Sequence, residues 1–391
     1  MFILISLSFS LLALVLIATP LQKYRVMFAW LFFFIGPLLT YFDLIGVLTG
    51  FNSSDFNQYL FGITFYTLYI SYQISKQKEI SEINPIKFIF SVINPLYYFT
   101  GPIPIYSLIN NNRFRLKRII KIFNIVHSDL ILGIFFACIL APSISYYLFL
   151  KSSQNIIDIV LFGLFFEFFV YFNFAGYSMI AWALMRIIGV RAPRNFKQPF
   201  GSTSIIEYWQ RWHISLSLIL KELFYKNLRP IFGLYISVFF VFMASAMWHG
   251  ISLNFILWGF FHSTFWCITN YLNKFNLKII NYFLMVICII IGRVIFSELD
   301  WIILSSKMSV IIEFSKWNSN SNFLILDLTR RDNINLLFII IIISWEILSP
   351  RLGFLRTNYN HFRTPFVSSI ILLYTVFAFT GLNLEPIYGN R

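Results

Sequence analysis

The sequence predicts an all-α, polytopic membrane protein in which about 10–11 transmembrane helices and additional re-entrant helices surround a central funnel or channel. Hydrophobic residues make up 58% of the 391 residues, charged residues only 12%, and phenylalanine alone occurs 48 times. The mean hydropathy of +0.74 is that of a chain buried in lipid. A soluble domain of this length needs a surface far richer in charge. We therefore expect a single transmembrane domain over 1–391, with its motifs concentrated at about 171–262.

Apolar runs of nearly spanning length account for this number of helices. A bilayer core of about 30 Å requires about 20 residues of helix. Runs of this kind lie at roughly 1–19, 26–49, 58–74, 125–150, 156–174, 230–248, 251–272, 278–297, 334–349 and 366–382, and the run at 299–314 is borderline. The polar stretch at 305–322 is predicted to be a loop.

The formal net charge of +14 comes from short basic clusters between the apolar runs, not from one continuous basic stripe. Lysine and arginine concentrate in the cytoplasmic loops of membrane proteins. We therefore assign to the cytoplasmic side the clusters around Lys23, Lys76, 113–121, 186–197 and 221–229. No aromatic-basic module for nucleic-acid recognition is visible, so nucleic acid is not expected as a partner.

Two segments are unsuited to straight spanning helices. The first contains Pro85, Pro95, Pro102 and Pro104, and proline removes a backbone donor and clashes with the preceding turn. The second, 198–224, is bounded by basic residues and is too polar in its middle to face lipid. Re-entrant backbone is tolerated where protein or a water-filled cavity surrounds it. Both segments are therefore predicted to enter and leave on the same side and to form a funnel that opens toward the cytoplasm.

The cysteines point to neither a disulfide bond nor a metal site. Cys138, Cys267 and Cys288 lie far apart within apolar segments, without a CxxC spacing or a histidine in metal-ligand register. They are interpreted as small buried hydrophobic residues. The chain also lacks GxSxG, HExxH and GxxxxGK[ST] motifs, and the missing phosphate-binding loop argues against an ATP-driven transporter.

Titratable side chains at bilayer depth are costly, so they usually line a cavity or take part in chemistry. The richest such stretch is 207–217, which contains His213, and His249 follows 36 positions later. On one helix, 36 residues would separate the two rings by about 54 Å, so only a tertiary contact can join them. Trp248 and Gly250 flank His249, and exclusion of water there would leave a neutral imidazole as a proton acceptor. His249 is therefore the candidate general base.

Side chains near His213 allow two interpretations each. Glu207 and Arg211 are i,i+4 partners on a helix, so a local ion pair explains both, whereas the planar guanidinium of Arg211 also suits a phosphate-bearing donor. Trp209 and Trp212 fall three residues apart and either wall a narrow passage or belong to an interfacial aromatic belt.

The remaining polar residues carry weaker signals. His127 and His361 lie near loop ends and are interpreted as helix-packing or interfacial residues. His262 is equally compatible with a packing role and a functional one. Lys221 and Glu222 lie on the expected cytoplasmic edge, where they form either a solvated charged rim or an attractive surface for an anionic cofactor.

Ordered motifs in this part of the chain resemble those of the membrane-bound O-acyltransferases. The resemblance is to the bacterial branch that includes alginate O-acetylation proteins and the D-alanyl-transfer proteins of teichoic acid modification. Residues 171–181, YFNFAGYSMIA, are similar to the family's YxxFAGYSxMA stretch, and 195–200, NFKQPF, to its NFxxPF/Y element. The 207–217 stretch is similar to the (E/D)FWxRWHxSLS signature, and 248–262 to WHGxxxxFxLWGxxH.

The resemblance implies that His249 corresponds to the family's essential histidine and His213 to its second functional histidine. It also implies a channel through the membrane, with the acyl donor arriving from the cytoplasm and the acceptor from the opposite face. No metal is expected at this site. From the residue patterns described above, the substrate- or donor-binding residues are expected to be Arg211, Trp209, Trp212, Trp248, Lys221 and Glu222.

The function that the resemblance implies is membrane-bound O-acyl transfer, with acetyl favoured as the acyl group. The acyl group would move from a cytoplasmic thioester to a hydroxyl of an exported polysaccharide, a cell-envelope polymer or a relay partner. The donor, acetyl-CoA or the phosphopantetheine of an acyl carrier, is a substrate, and no tightly bound cofactor is expected. Expected partners are the lipid bilayer, the donor or its carrier protein on the cytoplasmic side, and an extracytoplasmic esterase-like protein or polymer. The expected location is the bacterial cytoplasmic (inner) membrane, crossed several times.

Two alternatives remain open from the sequence. Within the family, D-alanyl transfer from a carrier protein toward teichoic acid competes with acetyl transfer. From another class, a membrane transporter or flippase would also place polar groups inside a bundle, where histidines relay protons or bind substrate. Transport predicts movement of a substrate without consumption of a thioester.

Overall fold

The computed structural model describes residues 116–152, 155–190, 192–250, 252–313, 317, 331–348 and 365–379. The three runs expected before residue 75 and the proline-broken segment lie outside the described residues. Every regular element within the described ranges is helical, and no β-strand occurs among them. The predicted all-α, membrane-embedded class is therefore confirmed.

Eleven α-helices form within the described residues. They are α1 (Leu116–Phe135), α2 (Ala141–Ser145), α3 (Ile156–Ile187), α4 (Ile205–Arg211), α5 (Ile214–Leu220), α6 (Lys226–His249), α7 (Leu253–Leu272), α8 (Lys278–Ser297), α9 (Trp301–Ile312), α10 (Arg331–Leu348) and α11 (Pro365–Phe379). Short π-helical turns lie at Phe136–Leu140 and Lys221–Tyr225, and 3₁₀ turns at Tyr146–Ser152, Pro199–Gly201 and Asn273–Phe275.

Several of these helices have the length and composition of membrane spans. Within the described residues, four stretches are long and apolar enough to cross a bilayer: Ile125–Ser152, Ile156–Ile187, Ile214–His249 and Lys278–Ser297. They cover the runs expected at 125–150, 156–174, 230–248 and 278–297. Helix α7 also forms over the run expected at 251–272, although its polar residues keep it outside these four.

Helix α3 is longer than the run expected at 156–174 and contains 32 residues. The side chain of Asn155 caps its first turn, which satisfies a backbone amide that the helix leaves free. Gly176 lies directly against α1 and the turn that follows it, since a Cβ added there would be 2.7 Å from the carbonyl oxygen of Gly133 and 2.6 Å from the backbone nitrogen of Ala137. Glycine therefore permits the close approach of the two helices. Helix α3 carries the YFNFAGYSMIA motif, of which Tyr171 and Phe172 are fully buried.

The loop expected at 305–322 is wrong over its first part, because α9 continues to residue 312. The carboxylate of Asp300 caps this helix by accepting two backbone amide hydrogens. Lys307 is buried and donates to Glu298 at 2.9 Å and to the carbonyl oxygen of Lys151 at 2.5 Å. A buried ion pair thus neutralises the charge of Lys307 within the helical part of this polar stretch.

The segment 198–224 is not one straight helix, as expected. It contains the 3₁₀ turn Pro199–Gly201, α4, α5 and the start of a π-helical turn, with a break between Arg211 and Ile214. Its re-entrant path in the bilayer stays a prediction. The chain beyond it bends again at Gly233, whose φ of 74° and ψ of −171° are not helical. The apolar stretch from residue 214 to 249 is therefore divided into two differently directed parts.

Aromatic side chains dominate the core around α3. The largest fully buried side chains of the described residues are Tyr147, Tyr171, Tyr208, Phe136 and Phe172. The rings of Phe136 and Phe172 meet edge to face at 4.9 Å, which joins α3 to the turn after α1. Edge-to-face pairs of this kind add to the free energy gained by burying the rings. The core thus gives α4 and α5 a rigid surface on which to pack.

Candidate functional site

His213 occupies a strained turn between α4 and α5. Its φ of 43° and ψ of 54° lie in the left-handed region, which residues other than glycine adopt rarely. Strain of this kind persists only where neighbouring contacts enforce it, and it concentrates at functional sites. The ring of Phe174, on α3, meets the imidazole edge to face at 4.6 Å. The turn therefore presents one imidazole to the interior in a fixed orientation.

Asn195 holds this turn in place. Its carbonyl oxygen accepts from the Ile214 amide at 2.9 Å, and its side-chain oxygen accepts from the Ser215 hydroxyl at 2.5 Å. A further hydrogen bond, 3.0 Å long, runs from the Lys197 amide to the carbonyl oxygen of Arg211. Residues on both sides of His213 are thus bonded to the NFKQPF element. This element therefore sets the position of the histidine.

His249 is the last residue of α6 and lies among aromatic rings. Its imidazole centroid is 4.9 Å from that of Phe296, 5.9 Å from Phe255 and 6.0 Å from Trp258. Gly250 ends the helix with a φ of 138°, a value that residues with a side chain rarely adopt. The residue His249 as a whole is partly exposed. Its imidazole lies mainly among aromatic rings.

The segments that bear the two histidines meet at a pair of tryptophans. The ring of Trp258 lies 5.5 Å from Trp209, four residues before His213, and 6.0 Å from His249. A straight helix would hold the histidines far apart, and the non-helical backbone angles of Gly233, within α6, interrupt the helix between them.

Buried polar atoms without a partner mark this region. Within the described residues, the His213 Nδ1, the Trp209 Nε1 and the Ser202 hydroxyl are buried and make no hydrogen bond. Such groups are rare because each loses its bond to water without replacement. All three lie on the segment that leads to His213, where a bound substrate could supply the missing partners.

His262, for which the sequence allowed two interpretations, is a buried packing residue with a polar neighbour. Its Nδ1 lies 3.3 Å from the sulfur of Cys288, and its ring contacts Trp258 at 4.6 Å and Trp209 at 5.0 Å. A Cβ added to Gly292 would lie 2.3 Å from its Nε2. His262 therefore supports the two tryptophans that lie between His213 and His249.

Arg211 makes the local ion pair that the spacing indicated. It donates to Glu207 at 2.5 Å and to the carbonyl oxygen of Gln198 at 3.3 Å. Partial burial raises the pKa of Glu207, but hydrogen bonds from the amide and hydroxyl of Thr203 and the charge of Arg211 outweigh it. The pKa of Glu207 therefore lies below its ordinary value of 4.5.

The other predicted donor residues differ in their surroundings. Trp212 is buried and stacks on Tyr208 at 5.5 Å. Trp248 is half-buried beside His249. Lys221 is exposed, whereas Glu222 forms an ion pair with Lys226.

The described helices show neither a metal centre nor the expected channel. No group of three or more His, Cys, Asp or Glu residues that could hold a metal ion occurs among the described residues. A small recess with about 20 Å³ of open volume is lined by Ala175, Ser178, Met179, Trp182, Arg194, Asn195 and Phe196. Neither histidine lines it, so the conduit to the site stays a prediction.

Three buried polar residues near the site were not identified from the sequence. Arg293 forms an ion pair with Glu167, and the Tyr208 hydroxyl donates to the same carboxylate at 2.5 Å. Glu167 and Arg293 both lie inside apolar runs. Charged residues inside membrane segments usually have a function. Glu167 and Arg293 are therefore candidates for a functional role, as the histidines are.

Comparison with known proteins places this site in a family. The sequence profile of MBOAT, the membrane-bound O-acyltransferase family, matches residues 3–312. The chain is 32% identical over 156 residues to a probable alginate O-acetylase AlgI of Pseudomonas syringae pv. tomato, a match that covers 38% of this chain and 30% of the relative.

Two further relatives carry other names. A teichoic acid D-alanyltransferase of Bacillus subtilis is 32% identical over 123 residues, which is 28% of this chain and 31% of the relative. A peptidoglycan O-acetyltransferase of Helicobacter pylori is 33% identical over 118 residues, covering 28% and 22%. The chain thus spans about a third or less of the length of these curated relatives. Because the family profile matches most of the chain, the protein belongs to the membrane-bound O-acyltransferase family.

Proposed function

We propose that this protein is a multi-pass membrane acyltransferase that moves an acyl group, with acetyl favoured, from a thioester to a hydroxyl of an exported polysaccharide or cell-envelope polymer. The observation that carries the proposal is the convergence of two segments on the rings of Trp209 and Trp258, namely the segment that bears His213 and the end of α6 that bears His249. Family membership makes acyl transfer the chemistry that this pair of imidazoles fits best. The named activities of two relatives, O-acetylation of alginate and of peptidoglycan, favour acetyl.

The proposed reaction uses His249 as a general base. Its ring nitrogen takes the proton of the acceptor hydroxyl while the oxygen attacks the thioester carbonyl carbon. The tetrahedral intermediate then collapses, the carbon–sulfur bond breaks, and the departing thiolate takes the proton from the imidazolium. Proton transfer by a positioned base of this kind contributes about 10²- to 10⁴-fold to a rate.

His213 is proposed to assist His249 by binding a substrate. The fixed turn at Asn195 holds its ring toward the interior, and its buried Nδ1 has no hydrogen-bond partner within the described residues. That nitrogen is available to bind the thioester or the acceptor. The surrounding Trp209 and Trp258 exclude water, which limits hydrolysis of the thioester.

The donor is proposed to enter from the cytoplasmic side, past Lys221, Lys226 and Arg229. These basic residues are exposed at the end of the segment that leads away from His213, and they suit the phosphates of acetyl-CoA or of a carrier-bound phosphopantetheine. The acceptor, or an extracytoplasmic esterase-like relay partner, is proposed to approach from the other face. This arrangement requires insertion in the bacterial cytoplasmic membrane.

D-alanyl transfer toward teichoic acid is the second candidate. A specific observation favours it, since the Bacillus subtilis teichoic acid D-alanyltransferase is as similar in sequence as the alginate O-acetylase. The chemistry at His249 would be the same, because both reactions transfer an acyl group from a thioester to a hydroxyl.

A comparison of envelope polymers tests the proposal. Cells that lack the gene and cells complemented with the full chain are treated with mild base, and the released acetate and D-alanine are quantified. We expect one of the two esters, with acetate favoured, to form only in cells that contain the complementing chain. The amount of radiolabelled thioester consumed should equal the amount of ester formed. If neither ester depends on the chain, the acyltransferase function is wrong, and substrate movement without thioester consumption would identify a transporter instead.

A further inference from the structure

A buried arginine packs on aromatic residues that lie next to the two histidines. The Nε of Arg293, on α8, donates to one carboxylate oxygen of Glu167, on α3, and both side chains are buried. The hydroxyl of Tyr208, on α4, donates to the other oxygen of the same carboxylate at 2.5 Å. Three helices that are distant in sequence therefore meet at one carboxylate.

The guanidinium of Arg293 touches the surroundings of both histidines. Its central carbon lies 4.9 Å from the ring centroid of Trp212, the residue before His213. It also lies 5.8 Å from the ring of Phe296, three residues later on the same helix, which packs against His249 at 4.9 Å. One planar cation thus contacts an aromatic residue beside each histidine.

Helix packing alone does not require these charges. Burial of an ion pair removes both charges from water, and replacement of the whole pair by apolar residues of similar volume often leaves stability unchanged or improved. By contrast, the planar guanidinium can stack on aromatic rings and bind a carboxylate at the same time, which an apolar side chain or a lysine does less well. The geometry therefore suits a positioning role near the reacting groups.

We propose that Arg293 is a positioning residue for acyl transfer. Held by Glu167 and Tyr208, it fixes the distance between the turn that contains His213 and the ring of Phe296, which packs against His249. This inference rests on the proposed function. It predicts that activity depends on the guanidinium even when stability does not. A displacement of about 1 Å in reacting groups is enough to lower a rate by about 10²-fold.

The test separates activity from stability by removing both charges together. In the double variant Glu167→Gln/Arg293→Met, no unpaired charge is left in the interior, so the full chain is expected to fold and to unfold in detergent within a few degrees of the wild type. Envelope esters per molecule of protein, counted as base-labile acetate and D-alanine, are expected to fall at least tenfold. The single variant Arg293→Lys keeps the charge without the planar group and is expected to lie in between.

A second buried ion pair offers a matched control. Lys307 and Glu298 are as deeply buried as Arg293 and Glu167. The variant Glu298→Gln/Lys307→Met is expected to retain ester formation within about twofold, because Lys307 contacts Lys151 and Phe162 and not the rings beside the histidines. If the Arg293 double variant retains full ester formation, or if its activity falls only in step with its stability, the positioning role is wrong and the proposed function stands. If the wild-type chain itself forms no esters, the proposed function fails.

Discussion

The side-chain oxygen of Asn195 accepts a hydrogen bond of 2.5 Å from the hydroxyl of Ser215, and this contact closes the turn that contains His213. The two residues belong to different motifs, NFKQPF and the stretch at 207–217. Their contact explains why both motifs are needed at one site: the first supplies the acceptors that hold the second in a backbone conformation it would not adopt alone.

Loss of this contact should reduce activity more than stability. Ser215→Ala removes one buried hydrogen bond, worth about 1 kcal/mol, and relaxes the turn at His213. We expect ester formation to fall about tenfold or more, since small displacements of reacting groups are costly in rate. Ser217→Ala is the matched control, because the Ser217 hydroxyl makes only two contacts of 3.4 Å. Equal activity of the two variants would contradict the role given to Asn195.

Gly292 should tolerate a side chain only when His262 is shortened. A Cβ at position 292 would lie 2.3 Å from the imidazole Nε2, so Gly292→Ala is expected to destabilise the protein by about 1–3 kcal/mol through overpacking. In Gly292→Ala/His262→Ala the clash is gone. Thermal unfolding in detergent should show a double variant more stable than the sum of the two single changes requires. Additive losses would mean that the two residues do not touch.

Gly250 should be irreplaceable for a different reason. Its φ of 138° disfavours any residue with a side chain. Space is a smaller obstacle, since an added Cβ would lie 3.2 Å from its nearest atom, in the ring of Phe255. Gly250→Ala is therefore expected to lower both stability and ester formation, with a strain of about 1–3 kcal/mol. Since the strain lies in the backbone, Phe255→Leu should not rescue it. Recovery of activity in the double variant would show that crowding, not conformation, requires the glycine.

Acid should loosen the segment before His213 through Glu207. The folded state lowers the pKa of this carboxyl below 4.5, so the ionised form contributes stability that is present above pH 4.5 and is lost as the pH falls through the folded-state pKa. Unfolding temperatures measured from pH 6 downward should decline below about pH 4.5 in the wild type. In Glu207→Gln this part of the decline should be absent. An unchanged profile in the variant would remove Glu207 from the account.

The sequence singled out the two histidines but not the contacts behind them. Their separation along the chain showed only that a tertiary contact, and not a single helix, could join them. The pairing of Glu167 with Arg293 did not follow, because a buried charge indicates that a partner exists but does not say which residue, 126 positions away, provides it. The helical part of 305–322 was missed because the stretch is polar, and the partner that neutralises Lys307 becomes visible only when the helix has packed.

The measurement that tests the account most directly is ester formation by His249→Ala in membranes with matched amounts of protein. With the imidazole removed, we expect base-labile acetate and D-alanine on envelope polymers to fall by about 10² or more, because the proton of the acceptor hydroxyl then has no positioned base. His127→Gln, which changes an imidazole on α1 that packs beside Phe123 and Ser128, should stay within about twofold of wild type. Full activity of His249→Ala would contradict the central claim that this histidine performs acyl transfer.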